Sequence, residues 1–243
     1  MFINSFFLPK EDVVKKYYNQ VAVVNNIDKL FDRIIKARSR VKMLDCLTEL
    51  NLIYQLSLIY NKKQISYEEE IVINGKKYYP DICIKLNDRN LYIQVKRMEK
   101  SYDYEERKEN NYFVNVYDEN QLRQALTKAT NKAFAKENDI LLVAQEISNN
   151  ADIGKETISN ALFGDEQLVL QDKLKYIQRT NNGLFNCILE NRLYGYILLN
   201  REKPELLSEY KFDFFPNHVF PDSIETVNSL LPIDNIYTYR MMP

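Results

Sequence analysis

The sequence predicts an α/β protein, a mixed β-sheet flanked by helices, and three observations carry that expectation. Between residues 10 and 60 the apolar positions recur at helical spacing, whereas from Tyr67 onward they alternate. Two turn signals, Asn74-Gly75 and "NDRN", punctuate the alternating region. After a second helix-forming stretch, "DILLVAQ" is a short apolar run of the kind found in a strand covered on both faces.

In chain order, Leu30, Phe31, Ile34 and Ile35 form an i, i+1, i+4, i+5 stripe, with Arg33, Lys36 and Arg40 mostly on other sides. The following "VKMLDCLTELNLIYQLSLIY" has no Gly or Pro and is apolar around much of its circumference, which predicts a helix buried on more than one side. "YEEEIVI", "YYPDICIKL" and "LYIQVKR" are predicted as three strands of a meander. Residues 98 to 118 are polar and charged and read as an insertion or mobile loop. "ENQLRQALTKATNKAFAKEN" is predicted helical, with Leu122, Ala125, Leu126, Ala129, Ala133 and Phe134 as its apolar positions. "RLYGYILLN" is a further predicted strand and "FDFFPNHVFPDS" an irregular, aromatic-rich tail. This divides the chain into an N-terminal helical extension (1–40), a core (41–145) and a C-terminal extension packed on that core (146–243).

A chain of 243 residues, 45% apolar and 28% charged, can bury a sizeable core and has the balance of a soluble globular protein. Its net charge of −1 argues against coating nucleic acid non-specifically, yet allows a local basic surface. Arg33, Lys36, Arg38, Arg40 and Lys42 gather ahead of the long helix and read either as phosphate contacts or as an exposed helix face. Cys46, Cys83 and Cys187 are dispersed, which points to reduced thiols rather than a disulfide framework. No window approaches the ~18 apolar residues of a membrane span, and the N-terminus lacks the features of a signal peptide. A cytoplasmic location without a membrane partner is therefore expected. His218 is the single histidine, too few for a His/Cys zinc site, and nothing near it marks a nucleophile elbow. The phosphate-cradling G-x-x-x-x-G-K-[ST] is absent.

Side chains two apart on a strand share a face, so Gln94 and Lys96 stand together, opposite Ile93 and Val95. Asp81 has the opposite parity from Ile82 and Ile84. If the Ile/Leu/Val face is buried, Asp81, Gln94 and Lys96 cluster on the remaining one. Each also has a plainer reading, Asp81 as a turn residue and the other two as a solvated strand face. Glu49 is harder to dismiss. At about 100° per residue it shares a side with Cys46, Leu52, Ile53 and Leu56, and a carboxylate in an apolar stripe needs a partner. A metal ion is one such partner, and Asp45, near the same side, is the alternative acid. The run Glu68, Glu69 and Glu70 reads as a solvated strand edge.

Pro80-Asp81, twelve intervening residues and then Gln94-Val95-Lys96 resembles the PD-(D/E)xK nuclease superfamily, with Gln in place of the second acid. The helix-βββ-helix-β order is also similar to the core of that restriction-endonuclease-like superfamily, over roughly residues 40 to 145. The resemblance implies a metal-dependent DNA endonuclease. Glu49, Asp81 and the main-chain carbonyl of Val95 would ligate Mg²⁺ or Mn²⁺, and Gln94 would complete the site. The metal would acidify a water and offset charge on the scissile phosphate, while Lys96 would orient the water or stabilise the transition state. DNA is the implied partner, and a cut in both strands implies a homodimer or a larger nuclease assembly. Gln94 departs from the common pattern, although type IV restriction enzymes and transposon-end nucleases accept it. One fewer negative charge implies weaker metal binding. Two other classes stay open: a catalytically inactive version of the fold that binds nucleic acid or protein, and a helix-turn-helix regulator. The latter rests on "VAQEISNNADIGKETISNALFG", with "IGKETIS" in the place of a recognition helix.

Overall fold

The computed structural model describes residues 17–98, 119–130, 135–136, 138–147, 154–171, 174–187, 192–201 and 209–238. The predicted insertion after Met98 lies outside them, as do Ala133 and Phe134.

A helical turn at residues 17–21 precedes α1 (Ile27–Lys36), which buries Ile27, Leu30, Phe31 and Ile34. Ile35, placed in the same stripe by the sequence, is instead exposed. Helix α2 (Arg40–Ile59) opens where the Ser39 hydroxyl accepts the Lys42 amide at 3.3 Å, satisfying one of the free donors of its first turn. It is buried around most of its girth, polar Thr48, Glu49, Asn51 and Gln55 included, as its unbroken apolar composition predicts.

The strands that follow are β1 (Ile65–Tyr67), β2 (Ile71–Ile73), β3 (Lys76–Tyr78), β4 (Ile82–Lys85) and β5 (Asn90–Met98). Helix α3 (Glu119–Thr130) leads to β6 (Ile140–Ile147), and α4 (Lys155–Phe163) to the ribbon β7 (Glu166–Gln171) and β8 (Leu174–Arg179). The chain ends in α5 (Leu184–Cys187), β9 (Leu193–Arg201), β10 (Tyr210–Pro216), α6 (Ser223–Leu230) and β11 (Ile233–Ile236). Seven strands form one mixed sheet in the order β1-β4-β5-β6-β9-β10-β11. Strand β4 runs antiparallel to both its neighbours, while β5, β6 and β9 are mutually parallel. The expected mixed sheet with flanking helices is thus present.

The three-strand meander needs correcting. The first sheet strand is Ile65–Tyr67, ahead of the acidic run, and the chain leaves the sheet at Glu68, whose φ is 42°. The Asn74-Gly75 turn does close a hairpin, with φ of 51° and 76° as a type I′ turn requires, but the hairpin is a separate ribbon of β2 and β3. "YYPDICIKL" is therefore two strands parted at Pro80, which has no amide to continue a ladder. The tail read as irregular contains β10, which pairs with β9 along its whole length.

Both faces of the sheet are covered. On one, Ile82, Ile84, Leu91, Ile93, Val95, Leu142 and Ala144 pack against α1 and α2. On the other, Cys83, Tyr92, Leu141 and Val143 pack against α3, α4 and α5. Each fully buried Leu or Ile contributes about 1.5–3 kcal/mol by leaving water, so neither face can open without loss of much of the core. The polar side of the β4–β5 hairpin is consequently not solvated, and Gln94 is only 1% exposed. Val143–Ile147 belong to β6, so the segment considered as a helix-turn-helix begins in a central strand; residues 148–153 lie outside the described set. No described helix is long and apolar enough to cross a membrane.

Candidate functional site

Strand register brings the polar motif together. Ile82 pairs with Ile93 at the start of β4, which sets Asp81 opposite Gln94 just beyond the end of the ladder. The Val95 amide donates to Asp81 Oδ2 at 2.7 Å, and the Gln94 side-chain amide donates to the same oxygen. The amide and carbonyl of one strand residue face the same edge, so the Val95 carbonyl also turns toward Asp81, past the point where β4 begins. Gln94 Oε1 is buried and has no hydrogen-bond partner among the described residues. Lys96, half-buried, is close enough for its charge to act on Asp81.

Glu49 arrives from α2. Its carboxylate is held at both oxygens by Arg33 of α1, at 3.0 and 3.3 Å. Tyr67, the last residue of β1, donates its hydroxyl to Glu49 Oε2 at 2.6 Å and accepts from Arg33. The same Arg33 nitrogen lies 3.0 Å from Glu68 Oε1, and the Glu68 amide donates to the Asp81 carbonyl at 3.1 Å. Burial raises the Glu49 carboxyl above its ordinary range against the pull of Arg33 and Tyr67. Burial, then the negative charge of Glu49, lifts Asp81 to about 7, with the Val95 amide and Lys96 opposing.

The predicted residues Glu49, Asp81, Gln94, Val95 and Lys96 therefore meet at one end of the sheet, but from two sides. Glu49 lies over the face of Ile93 and Val95, whereas alternation puts Gln94 and Lys96 on the other. Asp81, at the strand end, is the group that feels both. The site lies along the carboxyl-terminal half of β5, where Gln94 and Lys96 still pair with Val143 and Gln145 of β6.

Sequence reasoning missed the role of Arg33. The signal available was Glu49 itself, a carboxylate that demanded a cation, but the packing of α1 against α2 was needed to show which one. Lys36 lies 3.0 Å from Asp32 in an exposed i,i+4 pair, whereas Arg33 is committed to the buried Glu49. The acidic run does not form a second centre: Glu69 pairs with Lys85 at 2.7 Å and Glu70 with Lys77 at 2.9 Å. Asp45 is half-exposed, unlike Glu49. Cys46 and Cys83 are buried free thiols pushed up to about 11 and about 12 by desolvation, which makes them poor nucleophiles.

Among the described residues, no group of three or more His, Cys, Asp or Glu side chains is arranged to hold a metal. A smaller donor set does fit a hard cation. It comprises the Asp81 carboxylate, the unpartnered Gln94 oxygen and the Val95 carbonyl, with Glu49 as a second carboxylate once released by Arg33. Mg²⁺ is commonly held by one or two carboxylates with waters completing its octahedron, and the donor types of this set match that chemistry. Compared with protein-family models, curated proteins and solved structures, the chain matches none of them.

Proposed function

We propose that the protein is a metal-dependent phosphodiesterase acting on DNA, with a restriction-endonuclease-like core. The observation that carries this reading is the junction of Asp81 with a buried, unpartnered Gln94 oxygen beside Lys96. A divalent ion would give the buried Gln94 oxygen a partner and would favour the charged form of the neighbouring Asp81 carboxylate. The order of elements supports the same reading. Helix α2, strands β1, β4 and β5, helix α3 and strand β6 follow the helix-βββ-helix-β order of the resemblance, with ribbon β2–β3 inserted after β1.

In this reading Asp81, Gln94 and the Val95 carbonyl would hold Mg²⁺ or Mn²⁺, which when bound would supply Lewis acidity toward a phosphoryl oxygen and a water. Asp81 is prepared for that role by two donors on Oδ2, which fix the carboxylate plane before any ligand arrives. Lys96 supplies a positive charge beside the reacting phosphate, strengthened by its partly desolvated setting. Glu49 would add a second carboxylate once Arg33 releases it. A double-strand cut needs two such sites, so a homodimer or larger assembly belongs to the proposal.

The test is incubation with plasmid and branched DNA, with and without Mg²⁺ or Mn²⁺. Metal-dependent cleavage by the wild type, lost in Asp81→Ala and Lys96→Ala, is expected. Cleavage that persists in Asp81→Ala refutes the assignment. One observation favours a second reading, a catalytically inactive fold that binds nucleic acid or protein: Arg33 already neutralises Glu49. DNA binding that is indifferent to divalent ions and to Lys96→Ala would select it.

A further inference from the structure

Arg33 stands between two carboxylates. Its Nη1 lies 3.0 Å from Glu49 Oε2 and 3.0 Å from Glu68 Oε1, and its guanidinium also packs against the Tyr67 ring. The two acids differ in setting: the Glu49 side chain is 8% exposed and that of Glu68 32%. Arg33 itself is 41% exposed, so it is the most accessible member of the group. Both oxygens of Glu49 are occupied, by Arg33 at 3.0 and 3.3 Å and by the Tyr67 hydroxyl at 2.6 Å. Arg33 and Tyr67 together take three of the roughly four lone-pair sites of this carboxylate, and the guanidinium sets a positive charge where a divalent ion would have to approach. Glu68, however, offers Arg33 a second partner without requiring the side chain to enter water as an unpaired charge.

We propose that Arg33 is an exchangeable cation of this site: it holds Glu49 when no divalent ion is bound, and is handed to Glu68 when such an ion takes Glu49. The inference rests on the metal-site reading above and adds a residue and a direction of control to it. Arg33 and the metal are competitors for one carboxylate, so each weakens the other by the same factor. Glu68 acts as the receiver that lowers the cost of exchange. Arg33 is thus a positioning residue, acting through Glu49. A neutral residue at 33 leaves Glu49 permanently available, and a neutral residue at 68 leaves Arg33 with nowhere else to go.

The experiment is calorimetric titration with Mn²⁺ alone, in the absence of DNA, of the wild type, Arg33→Met, Glu68→Gln, Glu49→Gln and Asp81→Ala, and the doubles of Arg33→Met with Glu68→Gln and with Glu49→Gln. Circular dichroism checks that each variant is folded, and Arg33→Lys, which keeps the charge but cannot span both oxygens, serves if Arg33→Met is not. Arg33→Met is expected to tighten Mn²⁺ binding at least about tenfold and Glu68→Gln to weaken it several-fold. The decisive arms are the doubles. In the Glu49→Gln background Arg33→Met should change Mn²⁺ affinity less than about twofold, and in the Arg33→Met background Glu68→Gln should do little. Effects that simply add in both doubles mean plain charge screening and overturn the exchange. Wild-type binding that depends on Asp81 but not on residue 33 overturns this inference while leaving the metal site standing. No Mn²⁺ binding by any variant, Arg33→Met included, overturns both.

Discussion

Arg33 presents its two terminal nitrogens to the two oxygens of Glu49, at 3.0 and 3.3 Å, bridging helices α1 and α2. That contact turns a buried acid from a liability into a fixed point of the fold. Removing the arginine should leave the buried Glu49 with the Tyr67 hydroxyl as its remaining partner and push its carboxyl further upward. Arg33→Met is expected to destabilise by about 2–3 kcal/mol, below the ~3–5 of a wholly buried pair because Arg33 is half in water. Adding Glu49→Gln to that variant should restore much of the loss. Urea unfolding of the four proteins in the cycle measures this, and a double variant no better than Arg33→Met would refute it.

Asp81 sets a pH dependence of definite sign. In an unfolded chain an aspartate loses its proton near pH 3.9, whereas in the fold Asp81 keeps it up to about 7 because of burial and the charge of Glu49. Between those values the folded protein retains a proton that the unfolded chain has released, so stability falls as pH rises through the window and levels off above it. Glu49, also raised, acts in the same direction. Asp81→Asn should flatten the decline and be more stable than the wild type above about pH 7, although it removes the proposed activity. Unfolding midpoints between about pH 4 and pH 8 would show it. A variant as steep as the wild type would contradict the assignment.

Gln94→Glu would install the acid that the resemblance leads one to expect. Being 1% exposed and hydrogen-bonded to Asp81, the new carboxylate would face a second acid with little water between them. The metal-free variant should therefore be destabilised, and its gain on adding Mg²⁺ should exceed that of the wild type. If the metal binds ten times more tightly, the added stabilisation is ~1.4 kcal/mol, or roughly 3–6 °C in melting temperature for a chain of this size. Melting curves with and without Mg²⁺ test this, and an equal metal response in the two proteins would count against Gln94 as a ligand.

Gly75 tests the ribbon independently of the site. Its φ of 76° is left-handed, and a side chain added there would meet nothing within 4 Å. Strain is thus the whole cost, and Gly75→Ala should destabilise the β2–β3 ribbon by about 1–2 kcal/mol. Hydrogen exchange should speed up at the amides of Ile71 and Ile73 while those of β5 stay protected. Equal acceleration in both would mean that the ribbon and the main sheet open together.

Much of this arrangement was legible one segment at a time. The unbroken apolar α2, the alternating β5, the Asn74-Gly75 turn and the apolar β6 each follow from preferences acting over a few residues. Alternation also placed Gln94 and Lys96 on one face and aligned Asp81 with them. Alternation says nothing about which sheet a strand joins, and so the ribbon β2–β3 was taken for part of the main sheet. Nor does it say what covers the second face, so Gln94 looked solvated when α3 and α4 bury that side.

By itself the sequence determined the element types of α1, α2, β5, α3, β6 and β9, the parity of the polar trio and the presence of an acid that could not stand alone in an apolar helix. Tertiary structure decided that Glu49 and Gln94 approach from opposite faces, that Asp81 couples them, and that Arg33 is the cation holding Glu49. The reason is physical. Turn and strand preferences are short-range steric and hydrogen-bonding effects, whereas the partner of a buried charge is whichever opposite charge the packed chain brings within about 4 Å. Here that partner comes from a different helix, a choice that no local pattern encodes.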